Sequence, residues 1–436
     1  MLNAWLFLSA VGIALLTRSI YRLYFHPLRY IPGPKLAAAT HLYEFYYDIY
    51  SSGRFLFHIE ELHRQYGPIV RITPREIHIS DPNFYEEIYA PSSRRREKDP
   101  KCVPAIAVRE SMMTTIGHEH HRFRRNILDN FFSKRSVMEL TPMIEERIEK
   151  LIARFQEFHE SKSAVQLDDA FAALTADIIT YYCYGKLWGF LEDRDFKSDI
   201  MAAANEITSI CHVIRFFPFL DTLLQRAPGW MVRILAPGKK SLFDFQNSIK
   251  EEALLDNLTN PDLPPEERST RRLVEESQVV LGAGTETTGR TLSIAAYHLA
   301  QYRDALQQLR AKLKQVLPAV SSTCTLPELE QLPYLTPMSS FSSYFIHRNP
   351  TIYPRPDQFD PNRWIQSNGK AVNGERLDRY LTPFTKGSRA CLGINLAYAE
   401  LYMTLAYLVR QVDFELHNTG PEDPRVFAKV TGILTD

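Results

Sequence analysis

The pattern of apolar and polar positions along the chain predicts a mainly helical protein. Apolar residues recur at helical spacing over Glu139–Phe158 and again from about Leu392 to Arg410. Short β-branched segments at Ile69–Ile72, Ile77–Ile79 and Val412–Leu416 predict strands. After the N-terminal region the sequence has no Gly/Ser linker, no repeat and no low-complexity stretch. We therefore expect one large helical domain with small β-sheets at its margin.

One predicted helix is unusually long and contains glycine. Helical spacing without proline extends from Arg271 to about Tyr302, and its middle reads LGAGTETTG from Leu281 to Gly289. Each glycine inside a helix costs about 1 kcal/mol relative to alanine. Such glycines are expected where a backbone approaches another group closely or where the hydrogen-bond ladder opens. Taken alone, the segment is also compatible with a kinked core helix.

The first 25 residues predict a transmembrane anchor. Leu2–Leu16 carries no charge, and apolar and aromatic residues continue to Phe25 past two arginines whose side chains can snorkel. The uncharged run is shorter than the ~20 residues that usually span a bilayer. The alternative is a cleaved signal peptide, but no basic region precedes the run and no small-residue cleavage site follows it. Arginines at 18, 22 and 29 place the remainder of the chain in the cytosol by the positive-inside rule.

A stiff hinge is predicted after the anchor. Residues 26–34 read HPLRYIPGP, and three prolines with one glycine cannot continue a helix. We expect this hinge to separate the anchor, residues 1–25, from a single folded domain, residues 35–436.

Composition narrows the classes of function. The 436 residues contain 51 lysines and arginines and 51 aspartates and glutamates, so no net positive charge favours nucleic acid as a partner. The five cysteines are odd in number and widely spaced, with no C-x-x-C pair. That spacing is not a disulfide framework, and it favours a reducing compartment.

The strongest candidate chemistry lies in the segment FTKGSRACLG, which is followed by a predicted helix. Cys391 can supply a thiolate to a metal, and the positive end of the following helix favours the anionic sulfur. Gly387 and Gly393 allow a tight turn and the close approach of a flat cofactor. Arg389 can bind a carboxylate of that cofactor, and Phe384 can shield the site. A lone cysteine is usually a buried structural residue. Here the ten residues of FTKGSRACLG together suit a metal-bound thiolate, which disfavours that interpretation.

These residues carry a resemblance to a known family. FTKGSRACLG resembles the haem-binding loop of the cytochrome P-450 monooxygenases, matching F-x-x-G-x-R-x-C-x-G at every fixed position. Ala283–Thr288, AGTETT, is similar to the oxygen-binding groove of the family's long central helix. Phe359–Trp364, FDPNRW, resembles the loop before the haem segment, and His121 and Arg125 look like the helix pair that binds haem propionates. The anchor and hinge resemble those of the microsomal class. The segments YRLYFHPLRYIPGPKLAA and YGPIVRITPREIHISDP resemble filamentous-fungal members of secondary metabolism, of the trichodiene-oxygenase type.

The resemblance implies a fold, cofactors and partners. The fold would be mainly α with small β-sheets, the haem-thiolate fold of the family, behind an N-terminal anchor in the endoplasmic reticulum. Cys391 would be the axial thiolate ligand of haem b, which such a ligand tunes for O–O cleavage. Two electrons from NADPH would arrive through a membrane-bound flavoprotein reductase. One atom of O2 would enter a C–H or C=C bond of the substrate, and the other would leave as water.

The resemblance also implies residue roles. Ala283 and Gly284 would line the oxygen groove, Thr287 would stabilise bound dioxygen and pass protons, and Glu286 would be its acidic partner. Thr287 has an alternative interpretation, a helical hydroxyl bonded back to a preceding carbonyl.

The substrate pocket is expected to be mostly apolar, which suits a terpenoid or polyketide-like metabolite. Its predicted walls are Val103–Met113, Ile214–Met231 and Val279–Thr287. In the second stretch the aromatic residues can instead be core or membrane-facing. They are Phe216, Phe217, Phe219 and Trp230.

The sequence departs from the family before the haem loop. No E-x-x-R occurs between Gly289 and Cys391, because Leu329–Thr336 leads directly into PMSSFSSYFIHRNPTIYP. Several tens of residues are therefore expected to be missing near 336–338. Arg363, whose family counterpart pairs with E-x-x-R, would reach water or remain an unpaired buried charge, which costs about 3–5 kcal/mol. The segment after Phe427 also matches the family's closing hairpin poorly.

Three functional hypotheses remain open from the sequence. The first is a membrane-anchored haem monooxygenase of fungal secondary metabolism, which the haem loop, AGTETT and the anchor favour. The missing segment would then reflect an error in the gene model or in splicing, and the functional protein would be longer. The second is a truncated, catalytically inactive, membrane-anchored paralogue. The third is a haem-thiolate enzyme that rearranges or dehydrates its substrate without a reductase, and the Glu286–Thr287 pair argues against it.

Overall fold

Helices dominate the structure, as the periodicity predicts. This computed structural model describes residues 2–100, 103, 108–198, 212–217, 219–220, 261–332, 335, 344–366, 370–372, 374–421, 423 and 425–434. The α-helices are α1 (Leu2–Ile20), α2 (Lys35–Ala39), α3 (Leu42–Phe45), α4 (Phe55–Tyr66), α5 (Tyr85–Ile88), α6 (His118–Asp129), α7 (Lys134–Ser161), α8 (Leu167–Tyr184), α9 (Thr270–Gln301), α10 (Arg303–Leu313), α11 (Leu326–Glu330), α12 (Tyr344–His347), α13 (Arg363–Gln366) and α14 (Ile394–Gln411). The strands are β1 (Ile69–Arg71), β2 (Ile77–Ile79), β3 (Ala164–Gln166), β4 (Val412–Leu416) and β5 (Phe427–Ile433).

The three longest predicted helical segments are confirmed. They correspond to α7, α9 and α14, with ends within a few residues of the prediction. The Ser133 side chain caps α7 by accepting from the Ser136 N–H at 3.2 Å, and Ser269 caps α9 in the same way. Apolar side chains of α7 recur every three or four residues on the buried face, so this helix packs one stripe into the core. They are Val137, Leu140, Ile144, Ile148, Leu151 and Phe155.

Two small antiparallel sheets lie beside the helices. β1 pairs with β2, with Ile69 opposite Ile79. The second sheet has the strand order β3-β5-β4, so β5 is its central strand. A C-terminal hairpin of β4 and β5 thus forms, although the sequence after Phe427 matches the family's closing hairpin poorly. Val430 pairs with Phe414 of β4, and Ala428, which is fully buried, pairs with both Val165 and Leu416.

Two glycines let α9 pack closely against α8. A Cβ added at Gly284 would lie 2.8 Å from Cγ1 of Ile179, and one at Gly289 would lie 3.0 Å from the backbone nitrogen of Ala172. The close-approach interpretation of the glycines is thus confirmed at these two positions, and α9 runs as a continuous helix through them. Since α8 is buried along most of its length, it forms the floor on which α9 rests.

The N-terminal segment is an exposed apolar helix. A five-residue turn with wider hydrogen-bond spacing, Tyr21–Phe25, continues α1, and the backbone becomes extended at His26. In the part of the chain that the structure describes, one helical span, Asn3–Phe25, is long and apolar enough to cross a membrane, and none of it is buried. Fully buried Arg71 joins this segment to the domain by donating to the Arg22 carbonyl at 3.0 Å.

The region before the haem loop differs from one sequence expectation. Residues 336–343, where the missing segment is predicted, lie outside the described residues. Arg363 is half-buried, and it donates to the carbonyls of Arg355 and Gln358 at 3.1 and 3.2 Å. Of the two alternatives for Arg363, the unpaired buried charge does not occur: the residue is only half-buried, and backbone oxygens of the same loop accept from the guanidinium.

Candidate active site

The loop that carries Cys391 is a tight turn held by backbone hydrogen bonds. The Cys391 N–H donates to the Phe384 carbonyl at 2.9 Å, and the Ala390 N–H donates to the Gly387 carbonyl at 3.1 Å. Gly393 then occupies the N-cap position of α14. The sequence prediction of a turn that leads straight into a helix is confirmed. Phe384 packs against Tyr398 of α14, with the ring centroids 4.9 Å apart.

Gly387 is required by the geometry of this loop. Its φ of 72° lies in the left-handed region, where side chains other than hydrogen are disfavoured. A Cβ here would also lie 2.3 Å from the carbonyl oxygens of both Tyr89 and Ala90. The Ser388 N–H donates to that Ala90 oxygen at 3.1 Å. The loop is thereby fixed against residues 89–90.

The Cys391 thiol is exposed and lies at the N-terminal end of α14. Surrounding protein raises its pKa by desolvation, while the backbone N–H of Gly393 and the charge of Arg125 act in the opposite direction. An N–H therefore points at the sulfur, as the sequence predicts. A positively charged metal would favour the thiolate further, because a coordinating thiol is deprotonated.

Basic side chains gather beside the loop. His121 and Arg125 lie one turn apart on α6, and Arg125 donates to the Ala390 carbonyl at 2.6 Å. Arg389 donates to the carbonyls of Thr115 and Ile116 at 2.7 and 2.8 Å. Burial and the charges of Arg389, Arg125 and Lys98 lower the pKa of His121 to about 3, so the imidazole is neutral near pH 7.

This basic cluster fits an anionic group. Burial and Arg389 also lower the pKa of Lys98, so the cations at the site disfavour one another's charge. The acidic groups near them are Asp129, 3.3 Å from Arg125, and Glu97, which raises the pKa of Arg389 against the effect of burial. A ligand with carboxylates would relieve the repulsion among the cations. The charge of this cluster therefore suits the propionates of haem. Lys98, which is not among the residues predicted from the sequence, lies in the cluster beside His121 and Arg389.

The middle of α9 presents an exposed face. Ala283, Glu286 and Thr287 are exposed, whereas the neighbouring Thr285 and Thr288 are buried. The Thr287 hydroxyl donates to the Ala283 carbonyl at 2.7 Å, which is the back-bonded geometry considered as its alternative. The three residues predicted to act on dioxygen therefore share one side of the helix.

Gly284 does not share that open face. It is half-buried, and the Cβ position of Gly284 points at Ile179 of α8, so its missing side chain serves helix packing.

The predicted substrate walls are only partly within the described residues. Phe216 and Phe217 pack edge-on against Phe45 of α3, with centroid distances of 5.3 and 5.8 Å. Phe219 is 65% exposed, and Trp230 lies outside the described residues. Phe216 and Phe217 therefore contact α3, and Phe219 packs edge-on against Phe217.

Comparison with known proteins identifies the class. A family model described as Cytochrome P450 matches residues 43–338 and 340–434. The chain belongs to the cytochrome P450 family and has the monooxygenase fold with its helices and small sheets.

Among its relatives are fungal monooxygenases of secondary metabolism, the type to which this chain belongs. It is 37% identical to "Cytochrome P450 monooxygenase TRI4" of Fusarium sporotrichioides, over 95% of this chain and 89% of that one. It is 39% identical to "Conidiogenone synthase PchP450" of Penicillium rubens, over 93% and 91% of the two chains. It is 33% identical to "Tryptophan 6-hydroxylase fscE" of Fusarium equiseti, over 92% and 88%.

The length of one alignment concerns the segment that is expected to be missing from this chain near 336–338. The alignment with the Fusarium sporotrichioides protein spans 468 positions, which exceeds the 436 residues of this chain. That relative therefore has residues within the aligned region for which this chain has no counterpart.

Proposed function

We propose that the chain is a membrane-anchored haem-thiolate monooxygenase that hydroxylates or epoxidises a small apolar secondary metabolite, terpenoid or polyketide-like. The observation that carries the proposal is the Cys391 loop, in which a backbone N–H points at an exposed sulfur beside a basic cluster. That arrangement suits a cofactor with one metal and two carboxylates.

Different residues of the site would hold the iron and the carboxylates of haem b. Cys391 is the metal ligand, and Gly387 and Gly393 keep the loop compact. Arg125 and Arg389, with His121 and Lys98, would bind the carboxylates, and Phe384 would shield the sulfur. When bound, the haem supplies the activation of O2 that a thiolate ligand favours.

Thr287 and Glu286 are proposed to handle protons on the open face of α9. In the structure the Thr287 hydroxyl donates to the Ala283 carbonyl, so passing a proton onward requires the hydroxyl to turn out of that bond. Glu286, exposed beside it, exchanges protons with solvent and supplies them to the Thr287 oxygen. Ala283 keeps this face of α9 free of a large side chain, whereas Gly284 points toward α8.

Replacing Thr287 with alanine tests that role. We expect oxygenated product per NADPH oxidised to fall about tenfold or more, because the hydroxyl proposed to relay protons is lost. The measurement uses any apolar probe that the unsubstituted protein turns over. Thr291→Ala is the matched control, since the Thr291 hydroxyl makes the same back-bond to the Thr287 carbonyl at 2.8 Å one turn further along α9. Equal coupling in Thr287→Ala and the unsubstituted protein would contradict the proposed role.

The cellular setting is also proposed. Residues 1–25 would anchor the chain in the endoplasmic reticulum, residues 26–34 would form the hinge, and residues 35–436 would be the cytosolic haem domain. The apolar span Asn3–Phe25, none of which is buried, and the arginines at 18, 22 and 29 support this arrangement. Electrons would come from NADPH through a membrane-bound flavoprotein reductase.

The names of the relatives do not indicate which substrate this chain oxidises. The relatives that are 39% and 33% identical to this chain are named conidiogenone synthase and tryptophan 6-hydroxylase, and these two names refer to unlike molecules. The apolar class of substrate therefore rests on the expected pocket and not on similarity.

A second candidate function is a truncated, inactive paralogue. Three observations favour it: no E-x-x-R lies between Gly289 and Cys391, the alignment is longer than the chain, and the family match is interrupted between 338 and 340. If a segment is missing there, part of the wall around the cofactor would be missing with it.

A reduced carbon-monoxide difference spectrum separates the two candidates. It is recorded on microsomes containing this 436-residue chain, and on a version with the corresponding segment of the Fusarium sporotrichioides relative inserted between Met338 and Ser339. A Soret band of cysteinate-ligated haem in both supports the monooxygenase. A band only after insertion indicates that the functional enzyme is the longer chain. No such band in either version would overturn the proposed haem site.

A further inference from the structure

A buried network of charges joins the start of α9 to the segment before α6. We call residues 110–116 the strap. The carboxylate of Glu267, which is 2% exposed, accepts from Nε of Arg124 at 3.1 and 2.8 Å. His120 contacts the same carboxylate at 2.6 Å, and Nε of fully buried Arg272 lies 3.4 Å from it. Glu267 thus neutralises two buried guanidinium groups at once.

Arg124 extends the network into the strap. Its NH1 group donates to the Glu110 carbonyl at 2.8 Å and to the Thr115 hydroxyl at 2.9 Å. Two bonds to one guanidinium therefore fix both ends of the strap relative to α6.

Carboxylates of α9 hold the strap from the other side. The Glu110 N–H donates to Glu275 at 2.6 Å, and the Met112 N–H donates to Glu276 at 2.8 Å. Arg272 pairs with Glu276, so the same guanidinium contacts both Glu267 and the carboxylate that receives Met112.

The far end of the strap reaches the Cys391 loop. Its last two carbonyls, those of Thr115 and Ile116, accept the two hydrogen bonds from Arg389 at 2.7 and 2.8 Å. A continuous path of contacts therefore runs from Glu267 through Arg124 and the strap to Arg389.

The charge of Glu267 is what makes this path rigid. Burial alone would raise the pKa of Glu267, but hydrogen bonds from His120 and Arg124 outweigh it and hold the pKa below the ordinary value. If the charge is removed, Arg124 and Arg272 become buried cations with one fewer counter-charge, which is strongly unfavourable. Arg124 would then relax away from the strap.

We propose that Glu267 is a positioning residue for the cofactor site: through Arg124 and the strap it fixes the guanidinium of Arg389. The link to the cofactor rests on the proposed haem site, but the link from Glu267 to Arg389 does not require haem. The two can therefore fail separately.

Hydrogen exchange on the haem-free chain tests the protein part. In Glu267→Gln we expect peptides that cover the strap and residues 387–391 to exchange about tenfold faster than in the unsubstituted chain. Glu266→Gln is the matched control, because Glu266 is its exposed neighbour. Unchanged exchange in either the strap or the loop would overturn the proposal. Glu275→Gln, which loses the bond to the Glu110 N–H, should give the same pattern if Glu267→Gln does not fold.

Haem retention tests the consequence for the site. We expect Glu267→Gln to raise the rate of haem transfer to an acceptor protein about tenfold. This is the lower end of the effect of changing an outer-shell partner at a metal site. In an Arg389→Gln background the same change should add less than about twofold, because the group it positions is gone. Additive effects would show that Glu267 acts only on overall stability, and would overturn the positioning role. If the unsubstituted chain binds no haem, the proposed function fails while the exchange experiment still decides the link to Arg389.

Discussion

Replacing Cys391 with serine is expected to abolish the carbon-monoxide Soret band of cysteinate-ligated haem while the chain remains folded. Serine preserves the shape of the side chain, and the backbone bond from residue 391 to the Phe384 carbonyl does not involve the sulfur. A serine hydroxyl does not supply the soft anionic ligand that a cysteine thiolate supplies. The loss should therefore be complete, whereas circular dichroism and the unfolding transition should change little.

Cys324→Ser is the matched control for that experiment. Cys324 is half-buried, packs against the main apolar core and has its pKa raised to about 11 by burial and nearby carboxylates, so it is a structural thiol. Its replacement should leave the Soret band at its position. A normal band in Cys391→Ser, or its loss in Cys324→Ser, would refute the assignment of the metal ligand.

Gly387→Ala is expected to destabilise the haem-free protein by about 2–5 kcal/mol. The added methyl group would occupy a left-handed backbone conformation, which costs roughly 1–2 kcal/mol, and would collide with two carbonyl oxygens that are part of the backbone. The measurement is the free energy of unfolding in urea. Local opening of the loop should accompany the loss, visible as faster hydrogen exchange at residues 384–391.

Gly393→Ala is the comparison for that prediction. Gly393 has a φ of −83°, and a Cβ there would have no atom within 4 Å among the described residues. The cost in the haem-free protein should be about 1 kcal/mol or less, the scale of a helix N-cap change. If the two substitutions cost the same, the close contact of the loop with residues 89–90 is not present in solution.

The sequence predicted the long helices and the cysteine loop because their signals are local. The spacing of apolar residues defined α9 to within a residue at each end, and FTKGSRACLG contained every turn residue that the loop uses. The glycines of α9 were predicted to mark a close approach, although the partner, Ile179 of α8, has no signal in the α9 sequence.

Other parts of the site depend on contacts that the sequence does not display. Glu267 and Arg124 are 143 positions apart, so their pairing appears only when the chain is folded. Lys98 follows a run of arginines that resembles an ordinary solvated surface, and only its proximity to Arg389 indicates a role. The carbonyls of Arg355 and Gln358 that accept from Arg363 are likewise brought to it by the fold of the loop, which no side-chain motif indicates.

The glycine contact between α8 and α9 has a consequence for how this enzyme class diversifies. One side of α9 is committed to α8, where even a methyl group at 284 or 289 would collide with a neighbour. The opposite side, with Gly282, Ala283, Glu286 and Thr287, carries none of that packing burden. On the proposed assignment of this face to the active site, substitutions at Gly282 or Ala283 would alter the surface offered to a substrate with little penalty for folding. Selection for new oxidation products could then act at these two positions while Glu286, Thr287 and the packing against α8 stay unchanged.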